Sequence, residues 1–312
     1  MKRFKYVLAG GILSVAALNY AAVRVFLNMA LGRKCILFGK QKESTSAEPE
    51  KKQQESEWIA SQKMKEISIQ SFDGLRLQGH YLEAENAKRI LMLFHGWRGS
   101  WQHDFGAVLQ WLFENGCSLL LVDERAQGKS EGKYMGFGIL ERRDCHSWMQ
   151  WMESHREVNL PVYLYGVSMG AAAVLMTAGD QLPAMVKGAI ADCGFSSSYD
   201  MIKHFGLQNM KLREHPVMDE LNLLCRRRAG YDLKEYTPLE AMEHCQVPVL
   251  FIHGKADTFV PCEMTLQNYQ ACTAKKKLLM VEDADHCMSM QKDRETYLCR
   301  LTEFFTEIES ES

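Results

Sequence analysis

Solid apolar runs recur along the chain at Ile90–Phe94, Ser118–Val122, Val162–Tyr165, Gly188–Ala191, Val247–Ile252 and Lys277–Val281. A strand with one wet face alternates apolar and polar residues, so unbroken runs of this kind suit strands covered on both faces of a parallel sheet. Helix-compatible segments lie between or after them: Phe105–Asn115, Ile139–His155, Met169–Gly179, Glu263–Thr273 and Arg294–Ile308. Strands alternating with helices restrict the chain to an α/β architecture with a mostly parallel, doubly wound sheet. An antiparallel hairpin precedes it, since Ile67–Gln70 and Leu75–Tyr81 alternate in polarity around the turn pair Asp73-Gly74. Residues 196–242 break the rhythm. They are too long for one crossover and carry helical patterns such as Met218–Arg228, so an inserted helical cap is expected at the carboxyl edge of the sheet, where open α/β sheets bind ligands.

The N-terminus has a different character. Lys2, Arg3 and Lys5 precede an uncharged run of eighteen residues, Tyr6–Val23, with Arg24 at its edge. As a helix that run is about 27 Å long, close to the least that spans a bilayer. No small-x-small cleavage pattern follows it, so an uncleaved single-pass membrane anchor over 1–31 is expected, with basic residues on both flanks leaving its orientation open. A polar linker, 32–65, then leads to the folded body, 66–312.

Bulk properties exclude some classes of function. A formal net charge of −2 offers no basic excess for nucleic acid. The ten cysteines include no C-x-x-C pair, so neither a zinc framework nor another metal or cofactor site is expected, and several sit in apolar runs as small buried thiols would.

The chemistry centres on Gly166-Val167-Ser168-Met169-Gly170. This Gly-x-Ser-x-Gly stretch follows a β-rich run and opens an Ala-rich helical one, the context of a nucleophile elbow. A serine hydroxyl needs a base, and the base an orienting acid, in the chain order Ser, Asp or Glu, His. Asp257 follows the strand ending at Ile252, and His286 follows the last strand, so both loops emerge on the edge that carries Ser168. Asp192 ends a strand on the same edge and is the alternative acid, whereas Asp285 is too close along the backbone to orient His286. His253, at a strand end before a glycine, reads as a packed residue. An oxyanion needs two preorganised donors, and the Met169 N–H and the Trp97 N–H in the loop His95–Ser100 are the candidates. Phe195, Met201, Phe205, Leu207, Met210 and Tyr231 are candidate apolar lining from the cap.

These motifs resemble the α/β-hydrolase superfamily from about Glu66 to the C-terminus. The likeness rests on His95-Gly96, on Asp123-x-Arg125-x-x-Gly128-x-Ser130-x-Gly132, on the pentapeptide, on His253-Gly254-Lys255-Ala256-Asp257 with Val260-Pro261, and on Asp285-His286. Among subgroups the chain is most similar to bacterial membrane-associated serine hydrolases of the dienelactone-hydrolase and serine-aminopeptidase-like type. Gln127 stands where many relatives have histidine. The resemblance implies Ser168 as nucleophile, Asp257 as acid and His286 as base. The expected activity is hydrolysis of a carboxylic ester of a small-molecule or lipid-like acyl group. A peptidase or thioesterase with the same triad is the alternative, and a non-catalytic binding protein on this fold is a further one.

Overall fold

The computed structural model describes residues 20–33, 49–155, 160–210 and 214–311. Its strands are β1 (Lys65–Gln70), β2 (Arg76–Leu82), β3 (Arg89–Phe94), β4 (Cys117–Asp123), β5 (Val162–Val167), β6 (Val186–Asp192), β7 (Val249–Gly254) and β8 (Lys276–Val281). They form one eight-stranded sheet in the order β1-β2-β4-β3-β5-β6-β7-β8. The β1–β2 and β2–β4 pairs are antiparallel and every other pair is parallel. In β3, β4, β5 and β7 every residue is buried, which is why those runs carry no polar alternation.

Successive side chains on these strands enter two different cores, as the two-residue period requires. Met92, Phe94, Leu120, Val122 and Leu164 pack with the helices Ile139–His155 and Met169–Ala178. Leu91, Leu93, Leu119, Leu121 and Tyr165 pack with Trp101–Glu114 and Arg294–Ser310. The sheet is therefore doubly wound. Strand order reverses at β3, which has β4 on one side and β5 on the other. The crevice at such a reversal is where this architecture places ligands. Between β6 and β7 come the helices Ser198–Met210, Val217–Arg228 and Pro238–Met242.

The expectation of an N-terminal membrane helix over 1–31 is corrected for residues 20–31. Residues 1–19 lie outside the described residues. Residues 20–30 are helical, and Val23, Phe26, Leu27, Ala30 and Leu31 are buried in the same core as Met92 and Leu164. Their spacing, i, i+3, i+4, i+7 and i+8, is that of an amphipathic helix with one face on a protein core. The Arg98 guanidinium donates to the carbonyls of Met29 (2.9 Å) and Gly32 (2.7 Å), and Trp97 Nε1 donates to Ala30 O (2.6 Å). From residue 20 onward the segment is part of the α/β domain. No helix among the described residues is long and apolar enough to cross a membrane. Part of the polar linker is also structured: Pro49–Ser61 is a helix whose Trp58 meets Phe113 edge-on at 5.9 Å.

Candidate active site

Ser168 stands between β5 and the helix Met169–Ala178, with φ 54° and ψ −115°. A non-glycine residue in that region is strained by roughly 1–3 kcal/mol and persists only where its surroundings hold it. Two glycines make the turn possible. A Cβ on Gly166 would collide with the Gly170 carbonyl, and one on Gly170 would collide with the Phe94 carbonyl. The Ser168 N–H donates to Asp192 O at 2.8 Å, tying the turn to the end of β6.

Residues far apart in the chain meet at this turn. His286 Nε2 lies 3.0 Å from Ser168 Oγ, and His286 Nδ1 lies 2.7 Å from Asp257 Oδ2. The Asp257 side chain is fully buried, and its Oδ1 accepts from the Phe259 N–H (2.9 Å) and the Val260 N–H (2.8 Å). Burial by itself would raise the Asp257 pKa, but hydrogen bonds from His253 and His286 hold it far below the usual carboxylate range. Burial also works against the His286 imidazolium, while Cys193 and Asp257 act the other way and leave it above its ordinary 6.5. Cys193 can do so only as a thiolate, and burial pushes that thiol well above 9.0, so at neutral pH the Asp257 carboxylate is what supports the imidazolium.

The alternative acids are occupied elsewhere. Asp192 Oδ2 accepts from the Tyr297 hydroxyl at 2.7 Å. Asp285 Oδ1 accepts from the Thr258 N–H (3.0 Å) and the His286 N–H (2.8 Å), so it joins the two loops instead of reaching the ring. His253 is packed, as its position suggested, yet it does more. Its Nε2 is 3.0 Å from Asp257 Oδ2 and 3.0 Å from Val260 O, both of which only accept, so this nitrogen carries the proton. Nothing in the local pattern signals that contact beyond a histidine four residues before the acid.

Both oxyanion candidates lie in segments that adjoin Ser168. Met169 is the first residue of its helix, where backbone N–H groups lack intrahelical partners. The loop after β3 presses against the elbow: a Cβ on Gly96 would sit 3.1 Å from Ser168 Cβ. The Gly96 N–H donates to Asp104 Oδ2 at 2.7 Å, which pins the loop just before Trp97. The Trp97 ring stacks on Phe259 at 6.1 Å, and Phe259 in turn lies 5.0 Å from the His286 ring. An apolar pocket of about 10 Å³ opens there, lined by Ala30, Trp97, Phe137, Met201, Phe205 and Phe259 among others. Of the cap residues singled out, Met201 and Phe205 reach this pocket, Phe195 stacks on Phe137 at 5.3 Å, and the Tyr231 hydroxyl donates to Met135 O at 3.0 Å. The side chains of Leu207 and Met210 lie outside the described residues.

In the loop that carries the second motif, Arg125 grips Asp144 through two bonds of 2.6 and 2.7 Å, while Gln127 is buried. The motif acts as scaffold. Among the described residues, the group able to hold a metal ion is Cys193, His286 and Cys287.

Fold and comparisons together define a serine hydrolase of the α/β-hydrolase class. The chain belongs to the prolyl oligopeptidase family, which it matches over residues 103–311. The uncharacterized protein YqkD of Bacillus subtilis is 26% identical over 236 residues, covering 76% of this chain and 77% of that protein. The Pyrococcus furiosus esterase Pf2001 superposes with a TM-score of 0.65 at 22% identity, over 80% of this chain and 95% of the esterase. The acylaminoacyl peptidase of Pyrococcus horikoshii gives 0.60 at 16% identity, over 81% of this chain and 43% of the peptidase. At these identities the structural likeness is one of fold.

Proposed function

We propose that the protein hydrolyses carboxylic esters of short acyl groups by acyl transfer through Ser168, His286 and Asp257. The observation that carries this reading is the unbroken chain of two hydrogen bonds from Ser168 Oγ through the His286 ring to Asp257. His286 Nε2 takes the hydroxyl proton as Oγ attacks the ester carbon, and Asp257 holds the ring in the tautomer whose Nε2 is free to accept. The Met169 and Trp97 N–H groups receive the oxyanion. The ring then gives its proton to the leaving alkoxide, and a water activated by the same nitrogen releases the acid.

Pocket size supports the short acyl group. A free volume of about 10 Å³ holds about one water molecule, so a long chain enters only if the roof shifts. Peptide-bond hydrolysis is the second reading, and the family's own name favours it. The tight apolar pocket, which leaves little room for an aminoacyl side chain, favours a small ester. A panel of p-nitrophenyl esters of graded chain length, run beside aminoacyl p-nitroanilides, tests the choice. The expected result is the highest kcat/KM on the acetate or propionate, falling with chain length. A faster reaction on the anilides would overturn the ester reading.

A further inference from the structure

The strongest unassigned feature lies against the catalytic histidine. Cys193 follows β6 and Cys287 follows His286 in the loop after β8, and their sulfurs, 94 residues apart in sequence, are 3.4 Å apart in space. One donor atom from each of Cys193, His286 and Cys287 lies within 4.8 Å of the other two. We propose that these three side chains form a site for a thiophilic divalent cation, zinc above all, and that its occupancy turns the hydrolase off.

Ligand type selects the ion. Two sulfurs and an imidazole nitrogen suit zinc and other soft or borderline cations and exclude magnesium and calcium, which take oxygen. Geometry agrees. At a Zn–S distance of about 2.3 Å, a tetrahedral site sets its sulfurs about 3.8 Å apart, so the pair here needs to open slightly. A disulfide would instead require the sulfurs to close to about 2.05 Å and an oxidant that nothing here supplies. Both cysteines are held at positive φ, 47° and 59°, and the Cys193 N–H donates to Ile252 O at 2.9 Å, so the first sulfur is fixed by the sheet. Access is through Cys287. It is half-buried and lines a cavity of about 70 Å³ that also touches His103, Asp104 and Met288.

Binding is balanced in protons and involves no redox change. The cation displaces one proton from each thiol to solvent and takes the lone pair of the neutral imidazole. Whichever ring nitrogen is the ligand, the site is disabled. Coordination through Nε2 removes the base from Ser168, and coordination through Nδ1 breaks the bond to Asp257. The inhibition rests on the ester-hydrolase reading above, while the binding does not.

Titration of the reduced, chelator-stripped full chain with Co2+ reads binding apart from catalysis. A thiolate-to-cobalt charge-transfer band saturating at one equivalent is expected, displaced by Zn2+ and absent from C193S and C287S. It should persist in C272S, which removes a thiol from a second close pair among the described residues, Cys245 and Cys272. Zn2+ should inhibit p-nitrophenyl acetate hydrolysis, a chelator should restore it, and C287S should need at least about tenfold more zinc for the same fractional inhibition of its own rate. Circular dichroism checks that each variant is folded, and C287S alone carries the comparison if C193S is not. No band in the wild-type protein, or a band and a zinc sensitivity that survive in C287S, would overturn the proposal. A cobalt band lost in C287S, in a protein that cleaves no ester, would support the metal site and sink the hydrolase reading.

Discussion

Asp257 and Phe205 both meet Phe259, one at its backbone and the other at its ring, and are held in opposite ways. The Asp257 carboxylate accepts from two backbone N–H groups and meets two histidine rings, each within 3.0 Å. Phe205 packs among the rings of Phe26, Trp97 and Phe259 at centroid distances of 6.5, 5.7 and 6.0 Å. The rim of the sheet is thus a directional network, and a donor or acceptor moved by an ångström loses its bond. The roof, made of the cap and residues 20–31, is apolar packing, which accommodates a change of shape at modest cost. Rim substitutions should therefore act on the rate of chemistry, and roof substitutions on which acyl group fits.

The largest effect should come from Asp257→Asn, which keeps the shape but loses the charge and the tautomer control. A fall in kcat of about 10⁴, with KM little changed, is expected in steady-state ester hydrolysis. A loss below tenfold would break the contrast and return attention to Asp192. Next comes pH. Only neutral His286 can act as base, and its pKa is raised above 6.5, so log kcat/KM should fall by about one per pH unit on the acid side of a midpoint above 6.5. A midpoint at or below 6.5, measured with chelator present, would mean that burial of the ring outweighs the support it receives from Asp257.

His253→Gln should cost less, about 10- to 100-fold in kcat, because it weakens the hold on Asp257 without touching the substrate. The acid limb of its pH profile should also move, which a merely structural role would not produce. The smallest effect belongs to the roof. Phe205→Leu should leave acetate hydrolysis within about threefold while improving the relative rate on butyrate and hexanoate, since it opens the pocket. A hundredfold loss on every ester would show that roof and rim are not separable.

The same contrast explains what could be read from the chain alone. Strands buried on both faces display themselves as unbroken apolar runs, and the elbow pentapeptide is a local pattern with a steric cause at Gly166 and Gly170. Ser168, Asp257 and His286 are each marked by a strand end, and they meet in the fold. Contacts between distant segments carry no such mark. An apolar run at 20–31 looks alike whether lipid or protein covers it, and the packing of Val23, Phe26, Leu27, Ala30 and Leu31 against the core shows only in the fold. The helix Pro49–Ser61 docks through little more than Trp58 and Ile59, too few apolar residues to stand out in a charged stretch. Cys193 and Cys287 lack the short spacing by which thiol pairs are recognised, and only the sheet edge brings them together.

Covalent capture of the nucleophile tests the central claim most directly. A fluorophosphonate probe should give one adduct per chain, localised by peptide mass spectrometry to Ser168, with labelling abolished in a folded Ser168→Ala variant and slowed by Asp257→Asn. An adduct on any other residue, or labelling undiminished in Ser168→Ala, would contradict the account.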